Sequence, residues 1–331
     1  MKKIVSVLFA LTFCLTGMAQ TVAELQETAR SFMKQGDYTN AVLVLNRAAQ
    51  MDPSNIAVMK ELSLSHYYQG SYDNALQAIK PALDMSEADD QAFQVAGNIY
   101  KQLGQRKDAE KVYKKGLKKF PSSGVLYNDL GEIQWAQQDR EAIKSWEKGI
   151  EEEPSYSKNY FNAARYHYYL GSNVWCVLYA EIFLNMEPFS TKSPEIKQVL
   201  LEGYKKLFSQ ANIEQGNADK SVFVKQFLQV MNQQSGLAAA GLNAETLTMI
   251  RTRFILHWSG LAKGYPYALF EYQQQLLREG MFDAYNQWLF GSVQNLAAYQ
   301  GWANIHAEEN RAFYNFQRSR VFKMPGKQYY H

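Results

Sequence analysis

Met33-Lys34-Gln35-Gly36-Asp37-Tyr38-Thr39-Asn40-Ala41 is the stretch whose reading decides the fold, because its punctuation returns. Gln69-Gly70-Ser71-Tyr72-Asp73-Asn74-Ala75 repeats the pattern 34 residues on, and Gly104 follows Gly70 at the same step. Gly171 comes 67 residues after Gly104, two steps less one residue. Small residues keep the same beat: Ala41, Ala75, Ala109 and Ala142 form one row, and Ala48, Ala82, Gly116 and Gly149 a second. A fixed period of this length marks a repeat architecture.

Each unit has one internal logic. An amphipathic segment runs up to the glycine, a short polar turn follows, and a second amphipathic segment ends near Asp52-Pro53, Phe120-Pro121, Glu153-Pro154 or Glu187-Pro188. Glycine suits the left-handed residue that closes a helix, and proline suits a position just beyond one. The recurring alanine sits where two helices of a hairpin approach closely. The unit is a helix–turn–helix.

Met33 to Ala41 with Ala48 and Asp52-Pro53 resembles a tetratricopeptide repeat, as do Gln69 to Ala75; Ala96-Gly97, Tyr100, Gly104, Ala109, Tyr113 and Pro121; and Leu130-Gly131, Ala142, Gly149 and Pro154. Repeats are placed at 22–55, 56–89, 90–123, 124–156 and 157–190. The fourth is a residue short at its turn, where Gln137-Gln138-Asp139 replaces the glycine. The fifth carries Cys176 and Phe183 at the small positions, and Phe183 implies wider helix spacing. The resemblance implies an all-α superhelix whose first helices line a concave groove for a protein or peptide. Groove-facing positions then fall on Arg30, Lys60, Tyr67, Asn98, Lys101, Asn128, Trp135, Arg165 and Tyr168, with Gln26, Met33, Leu64, Gln94, Glu132 and Phe161 beside them. The family's clamp for a terminal carboxylate is broken, because Leu64 stands where the clamp has asparagine. A cytosolic chaperone partner is not expected.

Met1 to Ala19 reads as a secretory signal: Lys2 and Lys3, an apolar run from Ile4 to about Leu15, and small residues before a cut after Ala19. Phe13 before Cys14 is too bulky for a lipoprotein signal. Without this segment Cys176 is the remaining cysteine, so no intramolecular disulfide is expected. The expectation is an exported protein of a bacterial periplasm or cell envelope, with no integral membrane segment after signal removal. The formal charge of +3 falls to about +1 without Lys2 and Lys3, too little field for nucleic acid.

After Pro188 the rhythm stops, and 191–331 reads as a helical, aromatic-rich region. Ser193-Pro194-Glu195 predicts a helix start with serine as cap. A second helix is expected from about Ala218 to Asn232, loops near Gln215-Gly216 and from Gln233 to Gly241, and a helix capped by Asn243 that reaches about Trp258. Phe270 to Gly291 resembles one more degenerate hairpin around Gly280, and a last helix covers about Ala307 to Arg320. Aromatic residues make up 14% of the chain and grow denser after Phe254. Phe270, Phe282, Trp288 and Phe313 are assigned to the core by their helical spacing, while Tyr329 and Tyr330 stay open.

Catalytic chemistry finds no motif. No two of His66, His167, His257, His306 and His331 have the spacing of a helix-borne zinc pair, and no nucleophile elbow or phosphate loop is present. No catalytic residue, metal or cofactor is assigned. The reading is a non-enzymatic scaffold or adaptor for a protein or peptide; a glycan- or cell-wall-binding module built on the C-terminal aromatics and a cryptic hydrolase stay open as alternatives.

Overall fold

The computed structural model describes residues 20–210, 212–217, 219–261 and 264–331, so the proposed signal segment 1–19 lies outside the described residues. Among these, the secondary structure is helical throughout. The chain divides into two compact units that meet in sequence at Gly104 and Gln105.

The first unit holds α1 (Val22–Lys34), α2 (Tyr38–Met51), α3 (Ile56–Tyr68), α4 (Tyr72–Ile79) with a 3-10 extension Lys80–Asp84, and α5 (Asp90–Gln102). Local chemistry starts each first helix. Thr21 and Glu24 form a reciprocal capping box on α1, Asn55 accepts the Val58 N–H at 3.1 Å on α3, and Asp89 accepts the Ala92 N–H at 2.9 Å on α5. The turn glycines adopt the expected left-handed backbone, with φ of +75° at Gly36 and Gly70 and +72° at Gly104. Ala29, Ala41, Ala48, Ala75 and Ala82 are fully buried, so paired helices close on one another at the small-residue rows.

The second unit continues with α6 (Arg106–Lys119), α7 (Gly124–Ala136), α8 (Ala142–Glu152), α9 (Ser157–Leu170) and α10 (Asn173–Met186). Gln138 takes the left-handed place of the missing glycine, at φ +60°, and the shortened turn then reaches Ala142 directly. In α7, a Cβ on Gly131 would stand 2.5 Å from the Trp146 ring, which explains the small residue there. Every residue of α10 from Val174 to Asn185 is buried. A helix apolar all round belongs inside a core. Phe183 is buried there, its ring packed on Phe161 of α9 at 5.2 Å.

Around α10 the later helices wrap: α11 (Ser193–Leu207), α12 (Ile213–Gly216), α13 (Val222–Asn232), α14 (Ser235–Ala238), α15 (Ala244–Leu261), α16 (Ala268–Arg278) and α17 (Phe282–Asn286). A π-helical turn Gln287–Gly291 leads into α18 (Ser292–Gln294), α19 (Leu296–Ile305) and α20 (Ala307–Ser319). One hydrophobic cluster runs from Ala142 to Met324, so repeats four and five share their core with the C-terminal region. Phe270, Phe282, Trp288 and Phe313 are all buried in it, as their spacing predicts.

Three local expectations need correction. Ser193 is the first residue of α11, not its cap: Lys192 holds the cap position, and the Ser193 hydroxyl donates to the Glu187 carbonyl at 3.1 Å. The segments around Gln215-Gly216 and Gln233–Gly241 contain the short helices α12 and α14. The helix expected from Ala218 starts at Val222, after its cap Ser221. Asn243 does cap α15, accepting the Thr246 N–H at 2.8 Å.

Candidate functional site

In the first unit, α1, α3 and α5 face a hollow of about 620 Å³. Its lining combines apolar Ala57, Leu64 and Val95 with polar and aromatic Arg30, Lys60, Glu61, Tyr67, Tyr68, Gln91, Gln94 and Asn98. Apolar contact area beside Tyr and Arg is a composition common in recognition surfaces. The spacing arises from the repeat itself: three first helices, one step apart, present the same face.

Charge inside the hollow is arranged in pairs. Glu61 accepts from Arg30 Nε at 2.7 Å and from Gln26 Nε2 at 3.2 Å, and the bond to Glu61 raises the Arg30 pKa further above its ordinary value. Lys60 bonds the Asp89 carboxylate, which also caps α5, and reaches Gln91 Oε1 at 3.2 Å. Tyr67 is held edge-on by Tyr68 and Tyr72, with ring centroids at 5.6 and 5.5 Å, and its hydroxyl accepts from Gln102 Nε2 at 3.1 Å. The lining is therefore fixed in place before a partner arrives. Half-exposed cations already paired with carboxylates offer hydrogen bonds and little net charge.

Of the nine groove residues read from the sequence, the structure brings Arg30, Lys60, Tyr67 and Asn98 to this hollow. Lys101, on the last turn of α5, is not among its lining residues. The other four lie in the second unit and are engaged in packing. Asn128 is buried and bonds Asp129, Glu132 and Asn162 at 3.0, 3.2 and 2.9 Å. Trp135 packs against Trp146 and Tyr166 and rims a separate hollow of about 560 Å³ with Arg140 and Leu170. Arg165 pairs with Glu195 at 2.9 Å, and Tyr168 is covered by the Lys206 ammonium, 3.7 Å from its ring centroid. Sequence reasoning missed Glu61, Tyr68, Gln91 and Val95. Each lies beside a position that the repeat does mark (Lys60, Tyr67, Gln94), which is the signal that could have found them.

Glu147, His167 and His331 bring ligand-type atoms within 4.8 Å of one another. His167 Nε2 lies 2.9 Å from Glu147, but its Nδ1 accepts the Ser172 N–H at 3.1 Å. The neutral ring therefore carries its proton on Nε2, facing the carboxylate. A metal on Nε2 needs the opposite tautomer, with Nδ1 donating. His331 lies 3.1 Å from the same carboxylate and 2.6 Å from the Tyr179 hydroxyl, its ring stacked 3.9 Å from Trp175. The cluster is a hydrogen-bonded clasp rather than a metal site. Burial pushes the Cys176 thiol up to about 12, so it is not a thiolate near neutral pH.

Sequence models of the tetratricopeptide repeat match residues 27–92 and 90–118. Nothing among curated proteins matches. Solved structures similar to this chain include a tetratricopeptide repeat protein from Parabacteroides merdae, at 16% identity over 71% of this chain and 93% of that one, with a TM-score of 0.45. YrrB, described as having an unusual peptide-binding site, is 14% identical over 56% of this chain and 92% of its own, with a TM-score of 0.40. The first such domain of Spaghetti, bound to an HSP90 peptide, is 21% identical over 36% of this chain and 98% of its own, with a TM-score of 0.34.

Proposed function

We propose that this chain, a tetratricopeptide-repeat protein, is an exported, non-catalytic scaffold whose first unit seats a segment of a protein partner in the hollow between α1, α3 and α5. The observation that carries the reading is the pair of half-buried apolar residues Leu64 and Val95 lining a hollow whose charges are already paired. Such a surface favours an uncharged or weakly charged segment with an apolar anchor. A terminal carboxylate would meet Glu61 beside Arg30, and Lys60 is occupied by Asp89. Tyr and Arg are side chains in which interface energy often concentrates, and Tyr67, Tyr68 and Arg30 supply them here.

Export rests on the Met1–Ala19 composition, and the periplasm or cell envelope of a bacterium is the proposed location. Mass spectrometry of the cell-derived protein is expected to find an N-terminus at Gln20 in the envelope fraction; a cytosolic protein beginning at Met1 overturns it. The binding reading is tested by quantitative pull-down from envelope extract with Leu64→Glu beside the parent protein. A charge placed on the apolar lining is expected to remove the bound protein while the far-ultraviolet circular dichroism stays unchanged. Equal capture by the variant contradicts the assignment.

A further inference from the structure

Between the start of α15, the π-helical turn and α19 lies a different cavity, of about 390 Å³. Its wall is made of amides and rings: Asn243, Gln287, Gln294 and Asn295 with Tyr299 and Trp302. Glu245 is the one charged side chain lining it among the described residues. From Ala284 to Ile305 the sequence has no Asp, Glu, Lys or Arg at all.

We propose that this cavity is a binding site for a neutral saccharide. A sugar offers hydroxyls that both give and take hydrogen bonds, and flat C–H faces that are apolar. Carboxamides answer the first need, since each carries two donors and an acceptor. Trp and Tyr rings answer the second with broad apolar faces. A phosphate or carboxylate ligand would meet Glu245 with no lysine or arginine in the wall to compensate, which makes an anion a poor fit.

The amides and rings are held ready. Tyr299 is anchored through its hydroxyl to Tyr314 at 2.9 Å, and Trp302 stacks on His306 at 4.6 Å. Gln294 is fixed by accepting the Ala244 N–H at 3.0 Å. Asn295 accepts the Ala298 N–H at 3.0 Å with its oxygen, which leaves the amide nitrogen to donate. Gln287 points most directly to a ligand. It is 8% exposed, it lines the cavity, and its carboxamide bonds no other described residue. Its carboxamide opens to the cavity, where a ligand hydroxyl can both give and take a hydrogen bond. Gly291 makes the approach possible: a Cβ there would lie 2.4 Å from Gln287 Oε1 and 3.2 Å from the Tyr299 ring. The π-helical turn that carries both residues is a distortion frequent at functional sites.

The test titrates the full chain calorimetrically with maltotriose, cellotriose and triacetylchitotriose. Saturable binding of at least one is expected, weakened about tenfold or more by Trp302→Ala and by Gln287→Ala and largely kept by Trp302→Phe. Trp302 is half-buried and packs at the edge of the core, so circular dichroism and thermal melting verify the fold of each variant, and Trp302→Phe keeps a ring packed there. Absence of heat with all three sugars overturns the proposal, as does binding that Trp302→Ala and Gln287→Ala leave unchanged. Leu296 and Ile305 on the same helix are 58% and 82% exposed, so a neutral lipid surface is the competing occupant. Association with phosphatidylcholine vesicles, without binding of any trisaccharide, decides for that surface and against the sugar.

Discussion

Lys197 extends over the Trp288 ring, its Nζ 4.2 Å from the centroid, with Ser292 Oγ at 3.5 Å as its hydrogen-bond neighbour. Burial pushes its amine down to about 7 from the ordinary 10.5. Between those two values the unfolded chain holds a proton that the folded chain has released, so stability rises with pH across that window. Below about 7 the penalty of a buried charge is present in full, offset in part by the indole face. Lys197→Met is expected to be more stable at neutral pH by about 1–2 kcal/mol. Its melting temperature should lack the rise that the parent shows on going from about pH 7 to about pH 9.5. Parallel melting curves for the two proteins contradict this. Gln138 supplies a second case at the same scale. Its left-handed backbone, φ +60°, is disfavoured for a residue with a Cβ, so Gln138→Gly should raise the urea midpoint by the equivalent of ~0.5–1 kcal/mol. A lowered midpoint shows that the Gln138 side chain contributes more than its backbone costs.

Among the elements, α10 is buried along nearly its whole length, and a polar network ties it to the later helices. Glu181 of α10 pairs with Arg251 of α15 and accepts from Gln273 of α16 and from the Tyr285 hydroxyl of α17, both at 2.6 Å. Arg251 also bonds Asn286, and Asn185 donates to the Tyr285 hydroxyl at 2.7 Å. Burial works against the Arg251 charge, but Glu181 together with Tyr204 and Tyr285 outweighs it and keeps the guanidinium ionised. Breaking such a pair leaves a buried charge alone. Arg251→Met should cost ~3–5 kcal/mol, and adding Glu181→Leu should recover much of that loss, as read by chemical denaturation. Additive losses in the double variant contradict the network.

The same elements show how far the sequence could be read. Gly36, Gly70, Gly104 and the buried alanines were legible because each repeat packs on its neighbours, so a local pattern carries the information. Glu181 and Arg251 are 70 residues apart, and no period relates them. The almost fully buried α10 reads like any second helix of a repeat until its neighbours are known. The π-helical turn at Gln287–Gly291 looks like plain helix in sequence, so nothing there marks Gln287, and Tyr299 and Trp302 of α19 read like the other aromatics after Phe254. Those denser aromatics pack inward, whereas the rings that face a cavity lie among amides.

At the scale of the molecule, tetratricopeptide repeats account for residues 27–118, and the described helices carry the hairpin pattern on to Met186. Among the described residues no helix is long and apolar enough to cross a membrane. The two surfaces proposed for recognition lie in different units, so each can be removed without touching the other. Trp302→Ala should leave protein capture unchanged, and Leu64→Glu should leave trisaccharide binding unchanged. Loss of both activities in either variant contradicts that independence.

The most direct test is site-specific photo-crosslinking in the producing cell. A benzophenone amino acid at Leu64, in the hollow of the first unit, is compared with one at Leu43, which is 60% exposed on α2. The prediction is a discrete polypeptide adduct from position 64 that disappears when Tyr67→Ala is added, and none from position 43. Adducts of equal yield from both positions, or none from position 64, contradict the assignment of that hollow as the partner's seat.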